Sequence, residues 1–167
     1  HGGVVEDTHL TDASDPRPLD EIIEHDLRVF MHLIDAGVDA VMPAHVVFPS
    51  VDDTPAGYSA KWIGDILRQE LGFRGAVLSD DLTMAAAGVA GAAPERAERA
   101  LQAGCDLALV CQSPSDAEVV IEQVGALATD TDRAARVAAL RRTPEACDSC
   151  QQLELAQQSL HWLHNLA

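Results

Sequence analysis

Positive charge is what this 167-residue sequence has least of: 11 lysines and arginines stand against 27 aspartates and glutamates, a formal net charge of 11 − 27 = −16. Such a surface repels phosphate groups, which excludes a nucleic-acid groove or an anionic membrane as the partner. No stretch reaches the roughly 18 apolar residues of a membrane-spanning helix, and the first residues hold neither a basic segment nor the apolar run of an export signal. The expectation is a cytoplasmic chain. With His1 where a methionine would stand, more sequence is expected upstream.

Cysteine is scarce as well. Of the four, Cys105 and Cys111 lie in an apolar run, where a reduced thiol behaves as a small buried hydrophobe, so no disulfide framework is expected. Metal motifs are missing. No HExxH or two-His-one-carboxylate spacing joins His1, Asp7, His9 and His45. Cys147 and Cys150 followed by His161 and His164 have only ten residues between the pairs and two between the histidines, whereas a zinc finger needs about 12 and 3–5. Gly2-Gly3 is not followed by a phosphate-binding pattern. Neither metal nor cofactor is expected.

What the sequence does hold is a core: 47 % of residues are hydrophobic and 23 % charged, a globular composition of single-domain length. Apolar residues at spacings of three and four predict a helix from Leu19 to Ile34, with Gly37 placed for a left-handed cap. Val38 to Met42, closed by Pro43, predicts a short strand buried on both faces. A loop is expected from Ala44 to Gly57. Ser59 can then cap a second helix, whose inward face is Trp62, Ile63, Ile66, Leu67 and Leu71 and whose stop is Gly72. Ala76 to Ser79 forms the next strand, and a helix opened by Pro94 and ended by Gly104 leads to a third, Cys105 to Cys111.

Three apolar strands alternating with amphipathic helices imply right-handed crossovers and a parallel sheet, an α/β class. Each strand ends in polar residues able to do chemistry, which favours a (β/α) barrel, although a doubly wound sheet would end its strands in the same way. A closed barrel needs about 250 residues, so the expectation is a partial (β/α)8 TIM-type barrel. Helical patterns follow at Ala117–Leu127, Asp130–Arg141 and Leu153–Leu166. Residues 1–145 are therefore expected to form the barrel part and 146–167 a helical tail.

Asp80 and Asp81 follow a buried strand directly, which sets at least one carboxylate at the mouth of the sheet; the other reading is that one of them caps the next turn. Asp7-Thr8-His9 offers a carboxylate two residues from an imidazole, a pair that can orient the ring and tune its pKa for proton transfer near neutrality. His45, just past Pro43, either lines the same face or is hydrogen-bonded under the loop.

In this order and spacing, HGGVVEDTHL, VMPAHVVFP, ELGFRGAVLSDDLTM and ALQAGCDLALVCQ resemble the C-terminal half of the bacterial β-N-acetylglucosaminidases of glycoside hydrolase family three, over His1 to about Gln112. The resemblance implies a (β/α) barrel and a retaining hydrolase that releases terminal β-linked N-acetylglucosamine, typically from muropeptides during cytoplasmic peptidoglycan recycling. It matches Asp80 to the nucleophile and His9, held by Asp7, to the general acid/base, with His45 and His1 beside the substrate. The family's Lys-His-Phe-Pro-Gly and earlier strands are absent upstream of His1. The expected partner besides the substrate is therefore the missing N-terminal half of the barrel, and a non-catalytic partial barrel is the alternative reading.

Overall fold

The structure is a computed structural model, and it describes residues 3–125 and 130–141. The predicted tail at 146–167, the Cys147–Cys150 and His161–His164 pairs, and His1 lie outside the described residues.

The three expected strands form one sheet. Ala40–Val41 (β2), Ala76–Asp81 (β5) and Leu107–Leu109 (β6) lie side by side in sequence order and run parallel, with Ala40 paired to Ala76 and Leu78 to Leu107. Consecutive parallel strands require crossovers, and here the crossovers are helical. Between β2 and β5 runs a helix, Lys61–Glu70, wound as a π-helix. Between β5 and β6 runs α3, Ala93–Ala103, with Pro94 in its first turn as expected. Gly104 ends α3 at φ +116°, and a Cβ there would come within 2.9 Å of Ile63, so both the left-handed backbone and the helix contact require glycine. Helices α4 (Pro114–Val124) and α5 (Thr131–Ala139) follow β6, with Ser113 and Asp130 capping them by side-chain oxygens.

Three readings are corrected. The helix expected over Leu19–Ile34 is two, α1 (Leu19–Glu24) and α2 (Leu27–Asp35), broken at His25–Asp26. The break turns the Asp26 carboxylate toward Arg17, 2.8 Å away, and that ion pair outweighs the continuing apolar period. The loop expected over Ala44–Gly57 contains an antiparallel pair, β3 (Val46–Phe48) and β4 (Asp52–Pro55), and β3 also pairs in parallel with β1 (Ala13–Ser14). These strands are two to four residues long, and Pro49 and Pro55 gave the segment the look of a loop. Cys111 is exposed, while Cys105 is buried as expected.

The Lys61–Glu70 helix joins two apolar clusters. Ile63 and Leu67 pack with Phe73, Val77, Leu82 and Leu101 around the parallel sheet, and Trp62 and Ile66 pack with Ile22, Val46 and Phe48 around the second sheet. Ser59 holds the start of this helix as expected: its Oγ accepts from the Trp62 N–H and donates to Asp52 Oδ2 at 2.7 Å. The β3–β4 pair is thereby fixed against the carboxyl-end side of the parallel sheet, where the candidate residues lie.

Candidate active site

The carboxyl end of β5 is pinned from several sides. The Ser79 hydroxyl accepts from the Leu109 N–H and donates to the Asp80 carbonyl, so β6 sets the backbone just before the carboxylate pair. The two aspartates then part company. Asp81 binds its surroundings: its carboxylate accepts from the Thr83 hydroxyl at 2.6 Å, from the Thr83 and Cys111 N–H groups at 3.0 Å, and from the Gln112 amide. Partial burial works against ionisation here, but these donors outweigh it and hold the Asp81 carboxyl at about 2. Asp81 is thus the aspartate that caps the following turn. Asp80 accepts the Asp81 N–H on Oδ1 at 2.8 Å and is half-buried.

His45 reaches this end from beyond β2. It is 1 % exposed, and its Nε2 lies 3.2 Å from the Asp81 carbonyl oxygen. A carbonyl only accepts, so Nε2 carries the proton and the neutral ring keeps Nδ1 bare. Nδ1 is buried without a hydrogen-bond partner. The ring rests against Tyr58, centroids 5.5 Å apart, and the Tyr58 hydroxyl donates to the Ala87 carbonyl at 3.3 Å. Burial pushes the His45 imidazole down in pKa, against the opposing pull of the Asp80 charge, and pushes the Tyr58 hydroxyl up to about 12.

The third candidate group sits in an exposed turn. His9 donates its N–H to Asp7 Oδ1 at 3.0 Å, and its Nδ1 lies 2.9 Å from the same oxygen; the side chains are 66 % and 57 % exposed. Both contacts hold the Asp7 carboxyl below its usual range, the backbone bond foremost. The Asp7 oxygen fixes Nδ1 as the inner nitrogen of His9 and leaves Nε2 outward. One backbone bond brings this turn to β5: the Ala86 N–H, five residues past Asp81, donates to the Thr8 carbonyl at 3.3 Å. The structure therefore joins His45, Asp80 and Asp81 at the end of β5, and the Asp7–His9 turn meets the segment after β5 through the Thr8 carbonyl. Among the described residues no cluster of three or more His, Cys, Asp and Glu could hold a metal ion.

Sequence reasoning passed over two charged clusters. Buried Asp106 accepts from Arg68 Nη2 and the Val77 N–H, both at 2.7 Å, and from Arg136 Nε at 2.9 Å, at the opposite end of the parallel sheet. Its signal was visible, a lone carboxylate inside the apolar run CDLALVC. Buried Asp15 is bound by Arg17 at 2.6 Å, and Arg17 also reaches Asp26. The Asp15-Pro16-Arg17 spacing carried that signal.

Three comparisons bear on the arrangement. The glycosyl hydrolase family 3 N-terminal domain matches residues 1–141. A β-hexosaminidase of Xanthomonas campestris pv. campestris (strain B100) is 53 % identical over 131 residues, 78 % of this chain and 38 % of that protein. A β-hexosaminidase of Stenotrophomonas maltophilia (strain R551-3) is 60 % identical over 111 residues, 66 % of this chain and 33 % of that one. The chain spans about a third of the length of these curated relatives. Among solved structures, NagZ from Neisseria gonorrhoeae in complex with N-trifluoroacetyl-D-glucosamine superposes with a TM-score of 0.75 at 38 % identity, covering 100 % of this chain and 48 % of that one. A family 3 β-N-acetylglucosaminidase from Paenibacillus sp. superposes at 0.72 with 32 % identity, covering 96 % of this chain and 30 % of that one. With the family match running from the Asp7–His9 turn through Asp80 to the end of α5, the chain belongs to glycosyl hydrolase family 3.

Proposed function

We propose that the chain is the portion of a retaining β-N-acetylhexosaminidase that carries the reacting groups, and that it acts on terminal β-linked N-acetylglucosamine. The observation that carries this reading is the Ala86 to Thr8 backbone bond, which docks the Asp7–His9 turn onto the segment leaving Asp80. Asp80 attacks the anomeric carbon as the glycosidic C–O bond breaks, and His9, protonated at Nε2, gives its proton to the departing oxygen. Neutral His9 then takes a proton from water, whose oxygen attacks the anomeric carbon and releases the Asp80 carboxylate. Two carboxyl groups usually do this work in retaining enzymes, about 5–5.5 Å apart. Here an imidazole takes the place of one, and Asp7 fixes its tautomer.

The substrate class follows from the relatives' names: β-hexosaminidases, and a NagZ bound to an N-acylated glucosamine. Muropeptides of peptidoglycan recycling, met in the cytoplasm, are the proposed source of that sugar. His1 is assigned as a substrate contact and His45 to the floor of the site.

The same reading makes the chain one part of a (β/α) barrel. In support, β2 and β6 each pair only with β5 among the described residues, leaving two edges of the parallel sheet open. An apolar cavity of about 110 Å³ lies beside β2, lined by Ile22, Phe30, Val41, Met42, Trp62 and Leu71. By itself, then, this 167-residue chain is expected to hydrolyse an aryl N-acetylglucosaminide at background, because open edges associate and a sugar not fixed in place forgoes roughly 7–11 kcal/mol of positioning. Turnover should appear when the rest of the barrel is supplied, fused or as a separate chain. Robust turnover by the isolated chain, lost in Asp80→Asn, would show that the half-barrel suffices. The test of the chemistry is a fluorinated N-acetylglucosamine-type inactivator on the protein as its gene encodes it. It should label the native protein and Asp81→Asn but not Asp80→Asn, and a labelled Asp80→Asn would refute the assignment.

A further inference from the structure

We infer that His45 is a positioning residue, which aims the Asp80 carboxylate by holding the Asp81 peptide and makes no bond to the sugar. The inference rests on the reading of Asp80 as the nucleophile.

The geometry leaves the ring little else to do. Its Nε2–H is already given to the Asp81 carbonyl, a contact that spans 36 residues of sequence and joins the segment after β2 to the end of β5. Its Nδ1 is buried on the other side, toward Gly57, where even a Cβ would stand 3.8 Å away.

The Asp81 bond bears on chemistry through the backbone. Asp81 supplies the N–H that holds Asp80 Oδ1 at 2.8 Å, and its carbonyl takes both the His45 proton and the Met84 N–H. The carbonyl thus fixes the residue whose amide fixes the nucleophile. Holding one carboxylate oxygen leaves the other to line up with the anomeric carbon. A misplacement of about 1 Å at such a point can cost about 10²-fold in rate. Sheet pairing alone does not set the turn, because the register of β5 and β6 shifts between Leu78 and Asp81.

Two neutral variants separate the ring's two nitrogens. A glutamine amide nitrogen falls where imidazole Nε2 lies and can still donate to Asp81, whereas an asparagine amide falls near Nδ1 and cannot reach. In the protein as its gene encodes it, His45→Gln should keep kcat within about threefold of native. His45→Asn should lower kcat by about 10²-fold with KM little changed, and should slow labelling by a fluorinated N-acetylglucosamine-type inactivator in the same proportion. The thermal midpoints of the two variants should be similar, which makes the comparison independent of folding. A raised KM with native kcat in both variants would make His45 a sugar contact, and equal kcat losses in both would show that the Asp81 bond carries nothing; either outcome overturns the inference. Failure of the underlying reading is seen separately, as labelling that survives Asp80→Asn.

Discussion

The two groups proposed for one reaction sit in opposite surroundings. Asp80 ends a buried strand whose neighbours Ser79 and Asp81 are bonded to β6, to Thr83, to Gln112 and to His45. His9 sits in a turn that is more than half exposed, bonded to Asp7, with one backbone hydrogen bond joining the turn to the segment after β5. The difference follows the tasks. A nucleophile must meet carbon along one line and gains from fixed geometry, whereas a proton donor needs only hydrogen-bond reach of an oxygen and must later give way to water. A rigid strand end suits the first and a turn suits the second.

The largest expected effect lies on the rigid side. Asp80→Asn should bring turnover to background and abolish covalent labelling, while Asp81→Asn keeps labelling detectable; equal loss in both would erase the distinction drawn between the two carboxylates. On the exposed side, His9→Ala should slow hydrolysis by about 10²–10⁴-fold for poor leaving groups and less for activated aryl glycosides in the glycosylation step. Losses that ignore the leaving group would make the turn structural.

Stability should be set far from both groups. Asp106→Ala leaves Arg68 and Arg136 without their buried carboxylate, and removing one partner of a buried pair costs about 3–5 kcal/mol. Urea unfolding should show this loss in a protein whose β5 mouth is chemically intact. Labelling by the inactivator below the unfolding midpoint would confirm that the two ends of the sheet are separate in role.

The smallest effect is a pH dependence. The Asp81 carboxyl is held at about 2, below the 3.9 of a free aspartate, so its stabilising contribution is complete above about pH 4 and is lost as pH falls through about 2. Solvent reaches this partly buried group and limits the contribution to about 1–2 kcal/mol. Asp81→Asn should remove that component from the pH–stability profile between pH 4 and 2, and an unchanged profile would mean that the donors around Asp81 do not hold its charge.

Much of this was legible in the chain itself. The apolar runs at Val38–Met42, Ala76–Ser79 and Cys105–Cys111, each separated by a 3.6-period helix and a glycine stop, fixed three parallel strands in sequence order, because period and length are local properties. The same local logic put Asp80 and Asp81 at a strand end and Asp7 two residues from His9. Only the tertiary structure decided the rest. Which aspartate is the cap depends on donors from Thr83, Cys111 and Gln112, two of them about 30 residues away. That His45 bonds the Asp81 carbonyl, and that Asp106 binds Arg68 and Arg136, are contacts across 30 residues or more. The strands β1, β3 and β4 are too short to show a period and owe their form to partners brought by the fold. Hydrophobic period is written one turn at a time, whereas a hydrogen bond between distant segments exists only after packing has brought donor and acceptor together.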